Sequence, residues 1–156
     1  ALQLSCEKNV SSYFFLADLH AIIKQTNPNE IKVSVNEVAL AWLSSGLDPE
    51  ESFFYRQSNI PEITELAWIL SCVTAKGLIN RSHAYKAAVQ LNHDHTKDED
   101  KGISMGLFSY PVLMAADILM FNSSHVPVGN DQLQHLEITR DIAEKFNHQN
   151  GNTKYG

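Results

Sequence analysis

One acid, Asp117, lies within the largely apolar stretch SYPVLMAADIL. Met114, Asp117 and Ile118 stand at positions i, i+3 and i+4, so in a helix they share one face. A carboxylate on an apolar face costs free energy unless a donor pairs with it. Asp117 therefore either faces solvent or makes a structural hydrogen bond, or it accepts an N–H or O–H from the rim of a flat aromatic ligand. A site of the last kind rejects ligands that lack the donor, because the buried acid is then left unpaired.

The segment VPVGNDQLQH, a few residues further on, is a second candidate. The β-branched run His125–Val128 predicts a strand, and GND predicts a turn into a helix that begins at about Gln132. In a parallel α/β sheet, ligands gather at the carboxyl ends of strands. Gly129 would let a ligand approach the backbone, Asp131 would accept from a hydroxyl such as that of a ribose, and Gln132 offers a donor and an acceptor. An ordinary turn, with Asn130 or Asp131 as the helix cap, explains the same residues.

The histidines offer little chemistry by type and spacing alone. His20, in ADLHAI, follows a predicted strand and is either a capping or core histidine or a residue of a site at the strand end. His93 and His95 lie in a polar run that supplies no closed set of metal ligands, so no metal site is predicted. His135 and Glu137 are expected on a helix face without a catalytic part. The motifs GxSxG and HExxH and a P-loop lysine are absent, and no catalytic residue is predicted.

Strands and helices alternate along the chain, which favours an α/β protein with a mainly parallel sheet. The aromatic run Ser12–Asp18 predicts a buried strand, and the run Ser52–Ser58 predicts a second strand. The polar run Asn92–Gly102 has no periodicity and predicts a mobile surface loop. Helical spacing, prolines and glycines predict the helices 33–46, 61–77, 82–91, 111–121 and 132–146.

Composition limits the function classes further. The chain has 156 residues, 44% of them hydrophobic, and a net charge of −6, which argues against a dedicated nucleic-acid-binding module. Cys6 and Cys72 lie far apart and form no CxxC pair, so a cytoplasmic protein without disulfides is expected. No apolar run approaches the length of a membrane span, and residues 1–10 do not have the pattern of a signal peptide. The start on ALQLSCEKN and the polar end NHQNGNTKYG suggest a chain cut from a longer one.

Four segments together resemble the centre of bacterial tryptophanyl-tRNA synthetases. They are YPVLMAADIL, VPVGNDQLQHLEITRDIAEKFN, FFLADLHAI upstream, and GLDPEESFFYRQSNIPEITELAWILSC between them. The resemblance spans about Ser11 to Asn147. It implies part of a Rossmann-type nucleotide-binding fold with a mostly helical insertion, and a division into residues 1–24, 25–104 and 105–156. In this family the insertion helps to form a two-fold homodimer.

The resemblance also implies an activity and a set of binding residues. Such enzymes activate tryptophan with ATP, brought as its Mg²⁺ complex, and transfer it to tRNA(Trp). Asp117 would accept the indole N–H, Tyr110 and Gln132 would hold the α-ammonium, and His20 would lie at the edge of the pocket. The apolar residues expected to line the indole ring are Met114, Ile118, Val126 and Val128. Those expected beside ATP are Gly129, Asp131 and Lys86.

The chain departs from the family pattern in one respect. It carries neither the HIGH-type motif nor the KMSKS-type loop that stabilise the phosphates, so we expect a fragment that is inactive alone. A tyrosyl-type synthetase shares the fold and the GxDQxxH pattern, although Met114 stands where a phenol pocket would have a glutamine. A non-catalytic module for tryptophan binding or dimerisation is another alternative. A dehydrogenase is the weakest, because no GxGxxG is present.

Overall fold

The computed structural model describes residues 10–151, so the predictions that involve Cys6 lie outside the described residues. The chain forms two compact units, the first ending at Pro61 and the second beginning at Glu62. None of the helices within the described part is long and apolar enough to span a membrane.

The first unit is a pair of parallel strands joined through helices. Its elements are β1 (Tyr13–Leu16), α1 (Asp18–Ala21), α2 (Pro28–Ser44), β2 (Phe53–Arg56) and a 3₁₀ turn (Gln57–Asn59). Both predicted strands form, over shorter ranges than the aromatic runs, and they pair in parallel with Tyr13 opposite Phe53 and Leu16 opposite Arg56. Only Phe14 and Leu16 of β1 are buried, so the prediction of a buried strand holds for one face of it. Aromatic side chains support the pairing, because the rings of Tyr13 and Phe53 stack with centroids 4.7 Å apart. The carboxyl ends of both strands therefore lie side by side.

Helix α2 begins at Pro28, earlier than the predicted start at residue 33. Asn27 caps it by accepting the N–H of Asn29 at 3.0 Å, and proline stands at its first position, where its missing N–H costs nothing. On its inner face Trp42 meets Phe14 of β1 edge to face, with centroids 5.2 Å apart. Gly46, with φ of +96°, follows the end of the helix as predicted.

The second unit is helical. Its helices are α3 (Glu62–Val73), α4 (Lys76–Ile79), α5 (His83–Asp94), α6 (Met105–Leu119) and α7 (Leu133–Asn150), with a 3₁₀ turn at Asn130–Gln132. Helix α6 packs against both α3 and α7. The apolar core of this unit includes Ile63, Leu70, Val112, Ala115, Ala116, Ile138 and Ile142. The alanines leave room for the neighbouring helices to approach α6 closely.

Three sequence predictions are wrong in the second unit. The predicted strand His125–Val128 does not form, because no described strand lies beside it to supply ladder hydrogen bonds. Helix α6 begins at Met105 and not at Pro111, since Ser104 caps it by accepting the N–H of Leu107 at 3.1 Å. The helix predicted over 61–77 ends at Val73, and Gly77 lies inside the separate short helix α4.

The polar run 92–102 is exposed as predicted, apart from its first residue. Helix α5 continues to Asp94, and the buried Asn92 side chain donates to the carbonyls of Glu99 (2.8 Å) and Lys101 (2.9 Å). The Tyr85 hydroxyl donates to Asp100 at 2.7 Å. These contacts hold the loop against α5.

Candidate functional site

The middle of α6 presents one continuous face of candidate residues. Asp117 is buried, with 5% of its surface exposed, so the interpretation that it faces solvent is wrong. Tyr110, Met114 and Ile118 lie on the same side of the helix and are half-buried. Tyr110 and Asp117 are separated by two helical turns, a rise of about 10 Å. The face thus carries the phenol of Tyr110 at one end and the carboxylate of Asp117 near the other, with Met114 between them and Ile118 next to the carboxylate.

Tyr110 is joined to the first turn of α7 through His135. The Tyr110 hydroxyl lies 2.9 Å from Nε2 of His135, and the rings meet at a steep angle with centroids 5.2 Å apart. His135 is buried, and burial raises the pKa of Tyr110, so the phenol keeps its proton at neutral pH. A phenol that donates to His135 still has oxygen lone pairs that can accept from a cationic group. Sequence reasoning gave His135 no role, although the last letter of GxDQxxH marks this residue.

Two hydrogen bonds and one close approach shape the turn before α7. The N–H of Gln132 donates to the carbonyl of Gly129 at 2.9 Å, and the Gln132 side-chain amide donates to Asp131 at 2.8 Å. A Cβ at Gly129 would lie 2.6 Å from Asp131 Oδ1, so the carboxylate occupies the space that glycine leaves. Asp131 is exposed, while Val126 and Val128 before the turn are half-buried.

The alternative in which Asn130 or Asp131 caps the helix is wrong. The residue in the capping position of α7 is Gln132, and it makes no side-chain cap hydrogen bond. The preceding 3₁₀ turn has Gly129 in the same position, also without a side-chain cap. The side-chain polar atoms of the turn are therefore not used to cap the helix.

Lys86 lies on α5, whose first turn is tied to the first turn of α7. The N–H of His83 donates to Gln134 Oε1 at 2.8 Å, and Gln134 Nε2 donates to the carbonyl of Arg81 at 3.0 Å. Lys86 is exposed one turn further along α5. The structure thus brings the helix that carries Lys86 to the segment that follows Asp131.

In the first unit, polar side chains join the two strand ends. Asp18, which is buried after β1, accepts from the N–H of Ser58 at 3.0 Å and from its hydroxyl at 2.5 Å. Arg56 at the end of β2 reaches the same carboxylate at 2.8 Å. Arg56 is about half exposed, so the desolvated part of this network is the pair formed by Asp18 and Ser58.

Gln57 makes the reverse connection, from β2 back to β1. It is completely buried, its Oε1 accepts the N–H of Leu19 at 3.1 Å, and its Nε2 lies 3.0 Å from Nδ1 of His20. Burial lowers the pKa of His20, which favours the neutral ring at pH 7. Neither Gln57 nor Asp18 was a candidate on sequence grounds, because their partners are distant along the chain.

The predicted site residues thus fall into separate groups. Tyr110, Met114, Asp117 and Ile118 share one helix face, and Gly129, Asp131 and Gln132 share one turn that His135 links to Tyr110. His20 belongs to the first unit. Over residues 10–151, no three His, Cys, Asp or Glu side chains cluster in a way that could hold a metal ion.

Comparison with known proteins identifies the family. The model of the class I tRNA synthetases for tryptophan and tyrosine (W and Y) matches residues 2–155. The chain belongs to this family. This class I synthetase chain is 60% identical over 148 residues to a tryptophan–tRNA ligase from Bordetella pertussis, covering 95% of the chain and 33% of that protein. It is 58% identical over 154 residues to the ligase from Pseudomonas putida, covering 99% of the chain and 34% of that protein.

Solved structures agree with the family assignment. The crystal structure of tryptophanyl-tRNA synthetase from Campylobacter jejuni matches with a TM-score of 0.84 at 43% identity, over 97% of this chain and 44% of that one. The complex of the Campylobacter jejuni enzyme with ADP and tryptophan matches with a TM-score of 0.80 at 45% identity, over 94% and 44% of the two chains. The predicted fold class, an α/β chain that forms part of a Rossmann-type fold, is confirmed. The synthetase chain spans about a third of the length of its curated relatives.

Proposed function

We propose that the full-length protein is a tryptophan–tRNA ligase, in which this chain supplies the amino-acid side of the active site. The observation that carries the proposal is the burial of Asp117 on the α6 face shared with Met114 and Ile118. An indole is flat and apolar and has a single N–H, so it matches a slot with apolar walls and one carboxylate. The high identity to tryptophan–tRNA ligases supports the same substrate.

The α-ammonium of tryptophan would be held by Tyr110 and Gln132. A neutral phenol oxygen has two lone pairs, so Tyr110 can accept from the ammonium while it is bonded to Nε2 of His135, and the side-chain oxygen of Gln132 is a second acceptor. Val126 and Val128 would complete the apolar lining, and His20 would lie at its edge. Holding both ends of the amino acid aligns its carboxylate, and alignment lowers the barrier of the reaction.

The reaction requires no covalent group from this chain. An oxygen of the tryptophan carboxylate attacks the α-phosphorus of ATP, the bond from that phosphorus to the β-phosphate oxygen breaks, and pyrophosphate leaves. A hydroxyl at the 3′ end of tRNA(Trp) then attacks the carbonyl carbon of the aminoacyl-adenylate, an ester forms, and AMP leaves. Asp131 would accept a ribose hydroxyl above Gly129, Lys86 would approach the triphosphate, and Mg²⁺ would arrive with the ATP.

The remaining expectations concern architecture and partners. Residues 1–24 and 105–156 would belong to the nucleotide-binding fold, and residues 25–104 to the insertion. Trp68 and Ile69 on α3, which are 72% and 49% exposed, would be covered in a homodimer. A cytoplasmic enzyme is expected.

The test is amino-acid-dependent exchange of pyrophosphate into ATP by the full-length protein, with tryptophan and tyrosine compared. We expect exchange with tryptophan and none with tyrosine. Exchange with tyrosine would favour the tyrosyl alternative. Tryptophan binding without exchange would favour the non-catalytic module, and no binding of either amino acid would overturn the proposal.

A further inference from the structure

The backbone N–H of Leu19 determines which residue donates and which accepts in the contact between Gln57 and His20. The backbone N–H of Leu19 can only donate, so the atom of the Gln57 amide that faces it, at 3.1 Å, is the oxygen. The amide nitrogen is then the atom 3.0 Å from Nδ1 of His20, while the oxygen is further from that nitrogen, at 3.3 Å. An amide nitrogen can only donate, so Nδ1 must accept. In the neutral ring the proton is therefore on Nε2.

Burial keeps this arrangement in place. Gln57 has no exposed surface, and rotation of its amide would set two donors against each other at Leu19 while bringing the oxygen to Nδ1. The elements that carry this contact also carry Asp18, on the helix of His20, and Arg56, at the end of β2, and these two are paired with each other. Burial also lowers the pKa of His20, in agreement with a neutral ring.

We propose that Gln57 is a positioning residue that holds His20 as the neutral tautomer protonated on Nε2, so that His20 donates to an anionic oxygen of the substrate. The second half of this statement rests on the proposed function, which sets His20 beside the substrate, and the first half does not. A neutral N–H favours a carboxylate or phosphate oxygen and disfavours the ammonium group. Gln57 would thereby help the site to distinguish the two ends of the amino acid.

The tautomer is measured directly by ¹⁵N NMR of histidine-labelled full-length protein, with the His20 signals assigned by loss in His20→Gln. We expect Nδ1 to resonate as an unprotonated nitrogen and Nε2 as a protonated one at neutral pH. The variant Gln57→Glu keeps the shape and the bond to Leu19 but can only accept at Nδ1. It should move the proton to Nδ1; a charged ring, which keeps its Nε2 donor, would appear as two protonated nitrogens and should leave the KM values unchanged. A wild-type ring protonated on Nδ1 would overturn the proposal.

Kinetics then separate the two possible oxygens. If His20 donates to the carboxylate, Gln57→Glu raises the KM for tryptophan about 10-fold or more, while binding of tryptamine, which lacks the carboxylate, is unchanged. If it donates to a phosphate, the KM for ATP rises instead. Adding His20→Gln to Gln57→Glu should restore much of the loss, because a side-chain amide donates whatever its neighbour. Gln90→Glu, which adds the same charge at an exposed position, is the matched control and should change neither KM.

The possible outcomes distinguish the tautomer proposal from the proposed function. A switched tautomer with unchanged KM values would remove the substrate role of His20 and leave the tautomer assignment intact. Absence of tryptophan-dependent exchange in the wild-type protein would overturn the proposed function and leave the tautomer assignment unaffected. If Gln57→Glu fails to fold, the wild-type ¹⁵N pattern together with the KM values of His20→Gln and His20→Ala decides the matter. Only a side chain that retains a donor should then preserve the KM values.

Discussion

The hydroxyl of Tyr110 and Nε2 of His135 lie 2.9 Å apart and fix α6 against the first turn of α7. His135 stands one turn after Gln132, so this single bond sets the distance between the two groups proposed to hold the substrate ammonium. The histidine acts through the tyrosine, which makes it a positioning residue.

Replacing His135 should therefore affect binding more than chemistry. His135→Phe keeps a ring in the buried space but removes the nitrogen that is bonded to Tyr110, and we expect the KM for tryptophan to rise about 5- to 10-fold with a smaller change in kcat. Pyrophosphate exchange by the full-length protein measures both constants. His148→Phe, at an exposed position of the same helix, is the control and should leave both unchanged. An equal loss in kcat and kcat/KM would contradict a purely positioning role.

Removing the buried carboxylate should weaken tryptophan selectively. Asp117→Ala is expected to reduce tryptophan affinity by about 2–4 kcal/mol, the scale of a lost charge-assisted buried hydrogen bond. Calorimetry of the full-length protein measures the change, with Asp141→Ala on the exposed side of α7 as the control. Binding of 1-methyltryptophan, which has no indole N–H, should be poor in the wild type. If Asp117→Ala bound tryptophan with wild-type affinity, the role given to this acid would be lost.

The junction of the two strand ends should depend on Asp18. Asp18→Ala leaves the N–H and hydroxyl of Ser58 without their acceptor, and we expect the free energy of unfolding to fall by about 2–3 kcal/mol. Hydrogen exchange should locate the effect at the backbone of residues 57–60. Arg56→Gln should cost about 1 kcal/mol or less, because that partner is half exposed. Equal losses in the two variants would show that the ion pair, and not the serine, is what matters.

The loop after α5 should loosen at alkaline pH. The hydrogen bond to Asp100 is the main reason that the pKa of Tyr85 is raised from 10.0 to about 12. Because the pKa of Tyr85 is higher in the folded state than in the unfolded state, the contribution of this hydrogen bond to the free energy of unfolding is complete below pH 10 and decreases as the pH rises toward 12. We expect Tyr85 to titrate late in an ultraviolet titration, and its signal is assigned by loss in Tyr85→Phe because burial also raises the pKa of Tyr110. The free energy of unfolding should fall over the same range. In Asp100→Asn the late titration should move toward 10, whereas Asp98→Asn should leave it in place.

Features set by neighbours in sequence were predictable, and features set by distant partners were not. The aromatic runs of β1 and β2 predicted both strands, and the spacing in α5 and α7 predicted those helices to within a few residues. The run His125–Val128 has strand-forming residues but no described strand to pair with, so its composition was misleading. Pro111 looked like the start of a helix because proline favours that position, whereas the Ser104 cap stands further upstream.

The candidate site shows the same division. The helical spacing of Met114, Asp117 and Ile118 correctly predicted a shared face. Gln57 escaped notice because glutamine is usually exposed, and its burial depends on partners 37 and 38 positions away. His135 was missed for a similar reason, since its partner Tyr110 lies on another helix.

No neighbouring side chain caps the N-terminus of helix α5. Ser82, the residue in its capping position, makes no cap bond, and the first N–H is satisfied by Gln134, 51 positions away. Docking of α7 therefore adds a hydrogen bond that no side chain at the start of α5 supplies. The exposed amine of Lys86 is thus carried by a helix whose first turn is held both by its own backbone and by a residue of α7 51 positions along the chain.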